Sequence, residues 1–82
     1  MERQAVQEEI IRIATPFVKA PAMLQSVTES TSLIDDLKVN SARLVDIVLA
    51  FEDSFDIEIE DDEADKIRTI GQAIDMVLTK VN

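Results

Sequence analysis

Between Leu44 and Phe55 the chain repeats apolar residues at a spacing that only a helix satisfies. Leu44, Ile47, Val48, Phe51 and Phe55 recur at steps of three and four and so share one face. Arg43, Asp46, Ala50 and Asp53 fall together on the opposite side, and Asn40 or Ser41 supplies an N-cap. A helix with one apolar stripe must bury it against others. Ile70, Ala73, Ile74, Val77, Leu78 and Val81 form a second, almost unbroken stripe behind Thr69 as its cap. Val6, Ile10, Ile13 and Phe17 mark a third helix over residues 4–14. Pro16 should end it near Thr15, because proline removes an amide donor and clashes with the preceding turn. Thr15 and Pro16 can also open one extra turn over residues 16–18. A short helix over residues 61–66 completes the set. The expected fold is all-α, a bundle of three longer helices plus one short third helix, with residues 1–82 forming one domain.

The weak point of this outline is residues 19–40, a loop-like stretch with Pro21 and a polar run from Ser26 to Ser32. So long a connection is unusual in a small domain. Met23-Leu24 and Leu33-Ile34 with Leu37 are apolar anchors that can pin it to the core. That core must be aliphatic, since three Phe are the only aromatics in a chain that is 46% hydrophobic. One Gly and two Pro disfavour a turn-rich β fold.

What the chain lacks narrows its chemistry. Without cysteine there is no disulfide or thiolate metal site, and without histidine the usual general base and commonest metal ligand are missing. No catalytic residue set emerges. The only glycine, Gly71, cannot form a phosphate-cradling loop, Ser41 has no candidate His, and nothing in the sequence supports an isolated Ser41–Lys38 pairing. A net charge of −9 argues against nucleic acid or an anionic membrane surface as partner and for basic protein surfaces. The apolar runs are too short to span a bilayer, and the N-terminal residues lack the apolar stretch of a signal peptide. A cytoplasmic monomer is expected.

Ten of the seventeen acids lie between Asp46 and Asp65, uninterrupted by Lys or Arg. Such a run is ordinarily a solvated face. Concentrated charge of one sign also repels itself, so its presence here points to docking on basic partners. Calcium is a poorer reading. An EF-hand loop needs Gly at its sixth position and Glu at its twelfth. A loop starting at Asp56 has Asp61 and Ile67 there, and one starting at Asp53 has Glu58 and Ala64. No metal site is expected beyond weak, nonspecific divalent binding.

Ser41 stands where a serine ordinarily caps the free amides of a helix. A phosphate esterified there would be well placed, since helix N-termini favour anions. The surrounding residues carry a resemblance. Leu33-Ile-Asp-Asp-Leu-Lys-Val-Asn-Ser41-Ala-Arg-Leu-Val-Asp-Ile-Val-Leu-Ala-Phe-Glu-Asp-Ser-Phe55 is similar to the core of an acyl carrier protein. That pattern has an apolar residue, a Leu four residues on, then Gly-x-Asp-Ser-Leu opening an amphipathic helix that ends Glu-x-x-Phe. The stretch from Asp56 to Asp75 resembles the family's third helix and the start of its fourth.

The resemblance implies a four-helix acyl-carrier-like bundle that is a carrier rather than an enzyme. A phosphopantetheinyl transferase would move 4'-phosphopantetheine from coenzyme A onto the Ser41 hydroxyl, and the arm's thiol would hold acyl groups as thioesters between acyl-transferring or chain-extending enzymes. The acidic second helix would dock those enzymes through Asp46, Glu52 and Asp53, with Asp56 beyond its end, and the aliphatic interior would shelter the acyl chain. Four residues depart from the pattern. Lys38 replaces Gly, Asn40 replaces Asp, Ala42 replaces Leu, and Arg43 takes a usually acidic position. Lys38 and Arg43 make the head of the second helix locally basic, so they are candidate contacts for the arm's phosphate. The departures favour a specialised carrier in a dedicated fatty-acid, lipid or polyketide pathway. Its rivals are an unmodified relative acting as an acidic interaction module and, more remotely, an enzyme using carboxylates.

Overall fold

The computed structural model describes residues 2–81. Its helices are α1 (Arg3–Ala14), α2 (Leu44–Phe55), α3 (Asp61–Ala64) and α4 (Ile70–Val81), with 3-10 turns at Thr15–Phe17, Pro21–Ser26 and Ser41–Arg43. α1 packs along α4, and α2 packs against both. The stripes read from sequence form the interior. Val6, Ile10 and Ala14 of α1 meet Ile47, Val48 and Phe51 of α2 and Ile70, Ala73, Ile74 and Val77 of α4, all buried. Each fully buried aliphatic or Phe side chain contributes about 1.5–3 kcal/mol of transfer free energy. Leu33, Leu37 and Val39 from the long connection, with Ile59 and Ile67 on either side of α3, complete the core.

Two element ends differ from expectation for local reasons. The Thr15 hydroxyl donates back to the Ile11 carbonyl at 2.6 Å instead of capping a new turn, so the turn forced by Pro16 spans Thr15–Phe17. α3 stops at Ala64, and Asp65 and Lys66 follow as a turn.

The long connection is ordered by main-chain bonds to the start of α4. Leu33 N donates to Arg68 O (3.0 Å), Ile70 N to Thr31 O (3.0 Å) and Gly71 N to Glu29 O (2.8 Å), around an isolated antiparallel bridge between Ser32 and Thr69. Of its expected anchors, Leu24, Leu33, Ile34 and Leu37 are buried or half-buried, whereas Met23 is exposed. Thr69 does cap α4. Its hydroxyl accepts from Gln72 N (3.2 Å), and Gln72 Oε1 accepts from the amides of Thr69 and Arg68. Arg3 then ties three elements together, donating to Glu29 at 2.5 Å and to Asp75 at 2.6 Å.

Candidate functional site

The site begins in the turn that precedes α2. Ser32 organises it: its carbonyl accepts from the amides of Asp36 and Leu37, its hydroxyl accepts from Asp35 N, and its amide donates to Asp36 Oδ2 at 2.7 Å. Leu37 and Val39 are buried, and between them Lys38 adopts φ 58 with its side chain exposed. This left-handed conformation disfavours an L side chain by about 1–2 kcal/mol and does not disfavour glycine. The carrier pattern has glycine at this position, and the backbone keeps the shape that glycine serves. The head of this turn also receives Lys19, because the amides of Lys19 and Ala20 both donate to Leu37 O.

Which residue caps α2 decides what Ser41 is free to do. α2 itself starts after Arg43 without a side-chain cap. It is the Ser41–Arg43 turn leading into it that Asn40 caps: its side-chain oxygen accepts from Ala42 N at 2.9 Å, and its carbonyl accepts from Arg43 N at 2.8 Å. Ser41 is exposed at the first position of the turn that leads into α2, and its hydroxyl has no partner among the described residues. The ordinary explanation for a serine here, capping, therefore belongs to its neighbour. The hydroxyl lies open to solvent at the positive end of a helix. That arrangement fits a phosphodiester.

The other candidates divide. Arg43 pairs with Asp46, donating to Oδ2 at 3.2 Å, so a candidate phosphate cation and a candidate docking acid are joined to each other. Positions 43 and 46 share a helix face, whereas position 41 lies off it. Glu52 and Asp53 sit in the last turn of α2, half-buried and exposed respectively. Asp56 has a structural duty that its charge did not announce. It ends α2 in the left-handed conformation, φ 54, with its amide on Glu52 O. Charge at the head of α2 is balanced, with Asp46 in the first turn paired to Arg43, whereas the tail runs against the dipole, with acids and no basic residue in the last turn.

Two apolar residues were absent from the sequence-derived candidates. Val45 is 62% exposed and Leu49 is 56% exposed, one turn apart on the outside of α2. Their signal was available, since both lie off the Leu44–Phe55 stripe. With Val48, Ile59 and Ala64 they line a groove of about 320 Å³ between α2 and α3, rimmed by Glu52, Asp61 and Asp65. Among the described residues no helix is long and apolar enough to cross a membrane.

Residues 22–77 match the sequence family described as a phosphopantetheine attachment site. The acyl carrier protein of Caulobacter vibrioides is 48% identical over 56 residues, which is 68% of this chain and 72% of that protein. The acyl carrier protein of Buchnera aphidicola subsp. Acyrthosiphon pisum is 37% identical over 75 residues, 92% of this chain and 91% of its own length. The crystal structure of acyl carrier protein from Thermotoga maritima has a TM-score of 0.82 at 33% identity, covering 99% of this chain and 92% of that one. The chain belongs to the acyl carrier protein family, all-α carriers rather than enzymes that bear a covalently attached 4'-phosphopantetheine and work with phosphopantetheinyl transferases and acyl-handling enzymes.

Proposed function

We propose that Ser41 is the attachment residue and that the chain is a single-domain, monomeric, cytoplasmic carrier of acyl thioesters in a specialised fatty-acid, lipid or polyketide pathway. The observation that carries this reading is the division of labour at the head of α2. Asn40 accepts from the amides of Ala42 and Arg43 in the turn that leads into α2, and the Ser41 hydroxyl is exposed and uncommitted. When bound, the arm supplies a thiol, the nucleophilic sulfur that a cysteine-free chain lacks. The chain's own part is to hold the serine at a helix head, where amides and dipole favour the phosphate charge. Lys38, exposed and without an ion-pair partner among the described residues, is the freer of the two candidate phosphate cations, since Arg43 is engaged with Asp46.

Docking falls to the outer face of α2. Asp46, Glu52, Asp53 and Asp56 present carboxylates to basic surfaces, around an apolar centre at Val45 and Leu49. An apolar centre with a charged rim is the usual anatomy of a protein interface. Specialisation is supported by Lys38, Ala42 and Arg43, which change the surface immediately around the serine.

Co-expression with a broad-specificity phosphopantetheinyl transferase, followed by intact mass, tests the assignment. One added phosphopantetheine, lost in Ser41→Ala, is the expected result. An unmodified mass with several transferases would defeat it and leave the acidic interaction module as the reading. In that case charge reversal at Asp53 or Asp56 should impair partner binding while Ser41→Ala does not.

A further inference from the structure

We propose that the ion pair between Glu63 and Lys80 is a latch on α3 that sets how far the groove between α2 and α3 opens. α3 is a single turn with no buried residue of its own. The core holds it mainly by its flanks, the buried Ile59 before it and Ile67 after it, and half-buried Ala64 is its own contact with the core. Both of its sides face open space. One is the groove of about 320 Å³ against α2. The other is a shallow cleft of about 310 Å³ against α4, lined by Glu63, Lys66, Met76 and Thr79. A thin wall with room on either side stays in place only if something pins it.

The pin is one carboxylate oxygen. Glu63 Oε1 accepts from the Glu60 amide at 3.1 Å, closing the capping box of α3, and from Lys80 Nζ at 2.8 Å, reaching the last turn of α4. The pair is more sheltered than those of Arg3 or Arg43, with the two side chains 28% and 27% exposed, so water screens it less. The hydrogen bond from Lys80 holds the Glu63 carboxyl below its ordinary range, and Glu63 raises the lysine in return. The connector into α3 starts from the left-handed Asp56. At its far end the Arg68 Nε bond to Asp65 O adds a side-chain tie across that turn. Release of the pair leaves these two ends as hinges. α3 can then tilt into the α4 cleft, widening a groove that opens at Val45, one turn along α2 from Ser41.

Amide hydrogen exchange on the full chain tests this with Ser41 left unmodified, so the outcome is independent of the arm. Just after α3 the amides of Asp65, Lys66 and Ile67 donate to the carbonyls of Asp61, Glu63 and Ala64 within it, so their exchange reports on its order. Lys80→Met keeps most of the stem and removes the charge. It should speed exchange at those three amides about two- to fivefold and leave core amides such as Ile10 and Ala73 unchanged. Methyl resonances of Val48 and Ile59 should shift, while that of Val6 should not. Glu63→Gln, which retains an acceptor for the Glu60 amide, should reproduce the effect, and Lys80→Arg should restore the slow rates. Unchanged α3 exchange in Lys80→Met overturns the proposal. So does an equal rise in α1 and α4, which would make the pair a general stability contact, or an effect confined to Glu63→Gln, which would make it a cap alone.

Discussion

Gly71→Ala sets two opposing effects against each other at a position where the geometry decides the sign. Gly71 is buried at the second position of α4, and its amide donates to Glu29 O at 2.8 Å. In an open helix, alanine would be preferred over glycine by about 1 kcal/mol. Here a Cβ would stand 2.9 Å from Glu29 O and 3.1 Å from Glu29 Cβ. The nearer atom is backbone and cannot rotate away. Its segment is fixed by the Ile70–Thr31 bond on one side and by the Arg3–Glu29 pair on the other. Overpacking of this kind costs about 1–3 kcal/mol, and each hydrogen bond stretched as the loop retreats costs about 0.5–1.5 kcal/mol more. The net is a destabilisation of about 1–2 kcal/mol, which for a domain of this size lowers Tm by about 5–15 °C. Far-UV circular dichroism is the suitable probe, because the chain has no Trp or Tyr. A double-mutant cycle sharpens the test. Arg3→Gln should be less damaging in the Gly71→Ala background, because Glu29 has already moved. An unchanged or raised Tm, with Arg3→Gln fully additive, would refute the reasoning and show that the loop yields freely.

The remaining predictions concern the site and the charge ties. Asn40→Ala should lower stability by about 1 kcal/mol as the cap is lost. Ser41→Ala should stay within about 0.5 kcal/mol of wild type while abolishing modification; thermal melts beside intact mass distinguish them. At position 38, Lys38→Gly should be more stable than Lys38→Ala by about 0.5–1 kcal/mol in denaturant unfolding, because both remove the charge and only glycine relieves the left-handed backbone. Arg3 should matter through pH. Its hydrogen bond lowers the Glu29 carboxyl below the ordinary range, so the associated stability is present above the unfolded-state value and lost as pH falls through the lower folded-state value. The Tm gap between wild type and Arg3→Gln should therefore hold at neutral pH and shrink once pH drops below about 4.3.

Much of the bundle was legible because burial imposes a period. Val6–Ile10, Ile47–Val48–Phe51 and Ile70–Ala73–Ile74–Val77 form the three faces that the spacing required, and all are buried. The connection from Lys19 to Asn40 was only half legible. Its anchors Leu33 and Leu37 are side-chain features and could be read, but its ladder to Arg68, Ile70 and Gly71 is made by main-chain groups that every residue type possesses. Ser41 could be named as the candidate attachment residue from position and resemblance. Its freedom could not, because Asn40 and Ser41 are both competent caps and only three-dimensional placement chooses between them. Arg43 and Asp46 could be placed on one helix face from their spacing, but their roles read separately, as a phosphate contact and a docking acid, and the ion pair between them is the structure's addition. Lys38 had a readable clue in the glycine that the carrier pattern prefers there, and the left-handed backbone supplies its reason.

The two sides of α2 answer to different demands. Leu44, Ile47, Val48, Phe51 and Phe55 hold the helix to α1 and α4, while Val45, Asp46, Leu49 and Asp53 on the outside contribute little to keeping it there. Substitutions on the outer side are therefore nearly silent in folding, and lineages can rewrite them one at a time without passing through an unfolded ancestor. If the proposed docking face is the outer side of α2, the surface offered to partner enzymes can change while the bundle that carries it does not.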